Sequence, residues 1–115
     1  MTNHLRIALK HLLDERTEKT EVVEGNYRVN KTERGPGLIA IDHLGFQGED
    51  AFHSCRWDPS AEIIYIPEGE NCPSAEVIFV LRTIKKLGCR VERIIYGVGG
   101  TQNDMSHLYA KYLNE

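Results

Sequence analysis

Ala61-Glu62-Ile63-Ile64-Tyr65-Ile66 is followed, after a polar loop, by Pro73 and then by Val77, Val80, Leu81, Ile84 and Leu87; Gly88 and the apolar run Val91–Val98 come next. This stretch decides the architecture. The first run is almost continuously apolar, as in a strand covered on both faces. The middle residues recur at helical spacing behind a proline placed for a first turn, and Gly88 stands where a helix commonly ends. Strand, helix, strand with short joints predicts a crossover unit with parallel strands.

Working outward, residues 3–16 form an amphipathic helix in this reading, with Leu5, Ala8, Leu9, Leu12 and Leu13 on one side and Thr2 or Asn3 as cap. Between them the period changes. Glu21–Val23, Asn26–Asn30, Gly37–His43 and Ala51–Trp57 read as short strands that join Ala61–Ile66 in an antiparallel meander. The first two are one bent strand or a hairpin. Asn103 to Asn114 is expected as a last helix, with Met105, Leu108, Tyr109, Tyr112 and Leu113 inward. The expectation is one α+β domain over residues 1–115, a mixed sheet of about four to six strands with N-terminal, crossover and C-terminal helices.

The composition fits a folded chain. Of 115 residues, 41% are hydrophobic and 27% charged, too apolar for disorder. Acidic side chains outnumber basic ones 17 to 14, which argues against a general nucleic-acid binder. No apolar run reaches the roughly 20 residues of a membrane helix, and the first residues lack a signal peptide's pattern, so a cytoplasmic protein is expected. Cys55, Cys72 and Cys89 contain no Cys-x-x-Cys pair and read as three small buried hydrophobes rather than metal ligands. His4 and His11 lie roughly 10 Å apart along a helix, too far to share a metal ion.

Catalytic signatures fail one by one. Gly97-Val98-Gly99-Gly100-Thr101-Gln102 starts like a dinucleotide fingerprint but ends on Gln102. No lysine follows a glycine-rich loop, and no Gly-x-Ser-x-Gly elbow occurs. The order helix, strands, helix, strand is shared with nuclease cores, but Glu62 precedes Ile63 and Ile64, and Glu92 precedes Arg93 and Ile94, with no Glu-x-Lys. His43 and His53 lack a phosphodiesterase-type partner two residues on.

Two places stand out. If the parallel strands are neighbours, their carboxyl ends share one edge, where ligands of open α/β sheets bind. Glu68, Glu70 and Asn71 lie in one loop of that edge, and Gly99, Gly100, Thr101, Gln102, Asn103 and Asp104 in the other. Each loop would run into a helix N-terminus with unpaired N–H groups, and Gly99-Gly100 would form an anion-holding nest. The same residues also make ordinary helix caps. The second place is the face of the crossover helix opposite its core stripe, where Phe79 stands beside Arg82 and Lys86, a surface for another subunit.

Asp42-His43, His53 and Arg56-Trp57-Asp58 bring histidines and acids onto neighbouring strands, the raw material of a general base. A single tryptophan such as Trp57 more often fills core. The function expected is a non-catalytic binding or regulatory module, homodimeric through Phe79, Arg82 and Lys86, contacting a protein partner or small polar ligand. No cofactor, metal, membrane or nucleic acid is expected. The alternative is a small hydrolase or transferase acting on a phosphorylated or nucleotide-type substrate at loops 67–72 and 99–104, with His43 or His53 as base.

Overall fold

The computed structural model describes residues 2–14, 16, 18–32, 37–45, 51–67, 72–98 and 101–115, the side chains of 51–53, 98 and 101 excepted. Chain order runs α1 (His4–Leu13), β1 (Glu21–Glu24), β2 (Tyr27–Lys31), β3 (Ile39–Leu44), β4 (Ala51–Asp58), β5 (Ile63–Ile66), α2 (Ala75–Lys86), β6 (Arg93–Val98) and β7 (Thr101–Asp104). A 3-10 turn, Ser106–Tyr109, and a single helical turn, α3 (Ala110–Leu113), follow. The seven strands form one mixed sheet in the order of the chain itself. All pairs are antiparallel except β5–β6, which are parallel with Ile64 opposite Ile94. The fold is α+β, as the crossover reading predicts.

Strand alternation sorts the sheet into two faces. Val22, Val29, Ile41, Cys55, Trp57, Ile64 and Ile94 occupy one face, and they share a core with Leu5, Leu9 and Leu12 of α1, Val77, Leu81 and Ile84 of α2, and Tyr109. Trp57 is fully buried there, a core filler. The opposite face carries Val23, Arg28, Asp42, Ser54, Arg56, Tyr65 and Arg93, none of which joins that core.

The helix ends follow local chemistry. Asn3 Oδ1 accepts the Arg6 N–H at 3.0 Å, capping α1. Past α2, Gly88 at φ 88° lets its N–H reach the Lys85 carbonyl (3.0 Å) and the Cys89 N–H reach that of Ile84 (3.3 Å), a Schellman closure. The first two strands are a hairpin, Glu24 facing Tyr27 across Gly25-Asn26.

The chain departs from expectation after β6. Thr101–Asp104 is not the approach to a long helix but a strand antiparallel to β6, with Val98 opposite Thr101 and Tyr96 opposite Asn103. Among the described residues the strand count is therefore seven, and the helical turns after β7 begin only at Ser106.

Candidate functional site

The start of α2 meets the sheet through a cluster of polar and aromatic groups. Tyr27 and His43 are register partners on β2 and β3, and their rings stack at 4.7 Å with 13° between planes. Phe79 of α2 also stacks with Tyr27, at 5.8 Å and 29° between planes. Glu76, in the first turn of α2, accepts the Tyr27 hydroxyl proton at 2.8 Å and lies 3.3 Å from His43 Nδ1 with its second oxygen. A carboxylate there also complements the helix dipole. Burial and then this hydrogen bond hold the Tyr27 phenol protonated well past its ordinary range.

A histidine oriented by a carboxylate is a general-base arrangement, but the neighbouring thiol supplies no nucleophile. Cys55 is 1% exposed, and burial, then the charges of Glu76 and Asp42, push it up to about 12. At neutral pH it is a thiol, inert by the usual criterion of thiolate character and access. The acid paired with His43 is thus Glu76 from α2 and not its neighbour Asp42. Asp42 points to the opposite face, where Arg28 Nη2 donates to it at 2.9 Å and Ser54 Oγ at 2.7 Å. His53 pairs in register with His43, its side chain lying outside the described set.

The helical layer beyond this cluster carries a charge opposite to that of the chain. Its cations are Arg6 and Lys10 of α1, Arg82, Lys85 and Lys86 of α2, and Lys111 of α3; its acids are Glu76, occupied as above, and Glu115. α1 and α2 lie side by side, Asn3 Nδ2 donating to Thr83 Oγ1 at 3.2 Å and Thr83 in turn to the Phe79 carbonyl at 2.8 Å. Phe79, on the outward side, is 36% exposed, whereas Ile7 is half-buried between the helices and solvent. Arg82 grips Glu115 through two nitrogens, Nη2–Oε1 at 2.8 Å and Nε–Oε2 at 3.1 Å, with the Tyr112 ring 5.1 Å beneath its guanidinium. That grip holds the Glu115 carboxyl below the usual carboxylate range. Lys85 Nζ donates to the main-chain oxygens of Tyr112, Leu113 and Glu115, tying α3 to α2. Arg6, Lys10 and Lys86 form no ion pair among the described residues.

Of the sequence candidates, Phe79, Arg82 and Lys86 do share one exposed helix face. The polar edge is rearranged. Gln102, Asn103 and Asp104 are exposed on the edge strand β7, so among the described residues no second helix N-terminus stands beside that of α2. Asp104 instead accepts the Ser106 N–H at 2.9 Å just ahead of the 3-10 turn, and the side-chain and then the backbone hydrogen bond of Ser106 lower its carboxyl. Glu68, Glu70, Asn71, Gly99 and Gly100 lie outside the described residues, as does the side chain of Thr101. Cys72 is exposed and Cys89 half-buried, so only Cys55 is the interior hydrophobe expected. No group of three metal-ligating side chains occurs among the described residues, and no helix among them is long and apolar enough to cross a membrane.

Tyr27, Glu76, Arg6, Lys10, Tyr112 and Glu115 were not among the candidates. The basic layer had a signal in the sequence: α1 contains no acid, and α2 contains Glu76 alone. Comparison with known protein families, with curated proteins and with solved structures finds no match to this chain.

Proposed function

We propose that the protein is a non-catalytic binding module that docks a protein partner on the outer face of α1 and α2. The observation that carries this reading is the 36% exposed ring of Phe79 set among cations of the helical layer. An aromatic anchor inside a charged rim is the arrangement of interface hot spots. The face is positive on a chain of net charge −3, a separation that orients an acidic partner as it approaches. A second copy docked by the same face would set Arg82, Lys86 and their neighbours against their own symmetry mates, and that repulsion favours an acidic protein over a homodimer.

The test uses a fluorescein-labelled helical peptide patterned with Leu and Glu, its binding followed by anisotropy. It should bind at low salt and weaken as salt rises, and Phe79→Asp should lower the affinity about tenfold or more. Equal binding by Phe79→Asp and wild type would refute the reading. A dimer mass in light scattering that Phe79→Asp abolishes would assign the face to a second copy.

One observation favours a second reading, a small hydrolase or transferase acting on a phosphorylated or nucleotide-type substrate. His43 and Glu76 meet where the loop after β5 enters α2, on the edge where such a substrate would lie. A thermal-shift screen against nucleotides and phosphorylated metabolites, with loss of the shift in His43→Ala, is its test; a saturating ligand adds about 2.7 kcal/mol.

A further inference from the structure

Resting on the docking face proposed above, we infer that Arg82 is a carboxylate-binding fork for an acidic side chain of the partner protein, and that Glu115 occupies it as an intramolecular competitor. The geometry between the two is that of ligand recognition. Two of the three guanidinium nitrogens, Nε and Nη2, donate to the two carboxylate oxygens at 3.1 and 2.8 Å, the fork-to-fork pairing that makes arginine selective for planar anions. The Tyr112 ring, 5.1 Å from the guanidinium carbon, gives the fork a cation–π contact that any arriving carboxylate leaves in place. Around it opens a shallow groove lined by Arg82, Lys85, Lys86 and Glu115. Lys85 is committed to main-chain oxygens, and Lys86 stands exposed at the rim.

Displacing Glu115 is cheap. Its side chain and that of Arg82 are 39% and 48% exposed, and an exposed pair of this kind is worth about two- to fivefold in an equilibrium. Phe79, Arg82 and Lys86 follow at i, i+3 and i+7 on α2, roughly 10 Å along its axis. A partner segment that places one apolar and two acidic residues over that length satisfies all three at once. Phe79, one turn before the fork, suits an amphipathic acidic segment better than a phosphate backbone, which offers no apolar group for it.

The experiment titrates the same Leu/Glu peptide into wild type, Glu115→Gln, Arg82→Gln and the double variant, with circular dichroism melts to confirm that each is folded. Glu115→Gln should bind about two- to fivefold tighter than wild type. Arg82→Gln should bind more weakly than wild type, and Glu115→Gln should bring no gain in its background. Affinity unchanged in Glu115→Gln while Phe79→Asp still weakens binding would overturn the competitor and leave the docking face standing. Binding by no variant would overturn both. A gain in Glu115→Gln confined to a single-stranded oligothymidylate would overturn the acidic-protein occupant in favour of phosphate.

Discussion

Gly25 holds α1 against the first hairpin, and its replacement by alanine tests that contact quantitatively. Its φ of +56° is reached readily only by glycine, and it occupies the first central position of a two-residue hairpin turn, where a II′ turn requires one. An added Cβ would stand 2.5 Å from Cδ2 and Cγ of His4 and 3.1 Å from its Cβ. The backbone conformation costs about 1–2 kcal/mol for an L side chain, and the overlap about 1–3 kcal/mol more. Gly25→Ala should therefore destabilise by about 2–5 kcal/mol, which at about 4 °C per kcal/mol lowers Tm by roughly 8–20 °C. His4→Ala removes the two ring atoms and leaves the conformational cost. In that background Gly25→Ala should cost only about 1–2 kcal/mol, a coupling of about 1 kcal/mol or more. Urea melts of the four proteins followed by circular dichroism give the cycle. A single-variant cost below about 0.5 kcal/mol, or additive costs, would refute the described turn and its contact with α1.

Four further outcomes are expected. In the native protein at pH 8, a thiol reagent should modify Cys72 at once and Cys89 more slowly, with Cys55 reacting only on unfolding. Cys55 also sets an alkaline limit: below its ordinary 9.0 both states hold the proton, above it the unfolded chain releases first, so stability should fall between pH 9 and about 12. Cys55→Ala should make the slope shallower, leaving the part above pH 10 that Tyr27 contributes by the same linkage; a wild-type slope no steeper than the variant's would count against the burial described. Asp42→Ala strips Arg28 and Ser54 of their shared acceptor and should cost about 2–3 kcal/mol in urea, against about 1 for Ser54→Ala. Tyr109→Phe removes the oxygen that accepts the Ser74 N–H and should cost about 1 kcal/mol, with α2 showing faster amide exchange at its first turn.

What was legible in the sequence had a strong local period. The stripe Val77–Val80–Leu81–Ile84 and the glycine after it place α2 and its end, and the two apolar runs around it place the parallel pair β5–β6. The region after β6 misled because Met105, Leu108, Tyr109 and Tyr112 do recur at helical spacing. That spacing is met by a 3-10 turn and one α-helical turn instead, whereas Thr101–Asp104 has no apolar residue to betray a strand and is held by its backbone ladder to β6. Among the candidates, Phe79 was readable because it breaks its helix's polar side. The partnership of Tyr27, His43 and Glu76 was not, since it joins three elements whose meeting depends on the register of β2 with β3 and on the angle at which α2 crosses them. Glu115 and Arg82 are likewise distant in sequence, and nothing short-range links them.

The coincidence of strand order with chain order has a consequence for how the molecule forms. Each strand finds its sheet neighbour as the next strand in sequence, so loop closure is short throughout the meander, and only the crossover from β5 to β6 must wait for a helix. Strands can therefore be added one at a time as the chain emerges, β1 to β5 first, with α1 already made and ready to cover Val22 and Val29. The docking of α2 is then expected to come late, joining Val77, Leu81 and Ile84 to the core that holds Trp57 and Ile64 and bringing Glu76 to Tyr27 and His43. Substitutions at Ile84 or Leu81 should then change the unfolding rate more than those in β2 or β3, the elements assembled before the barrier.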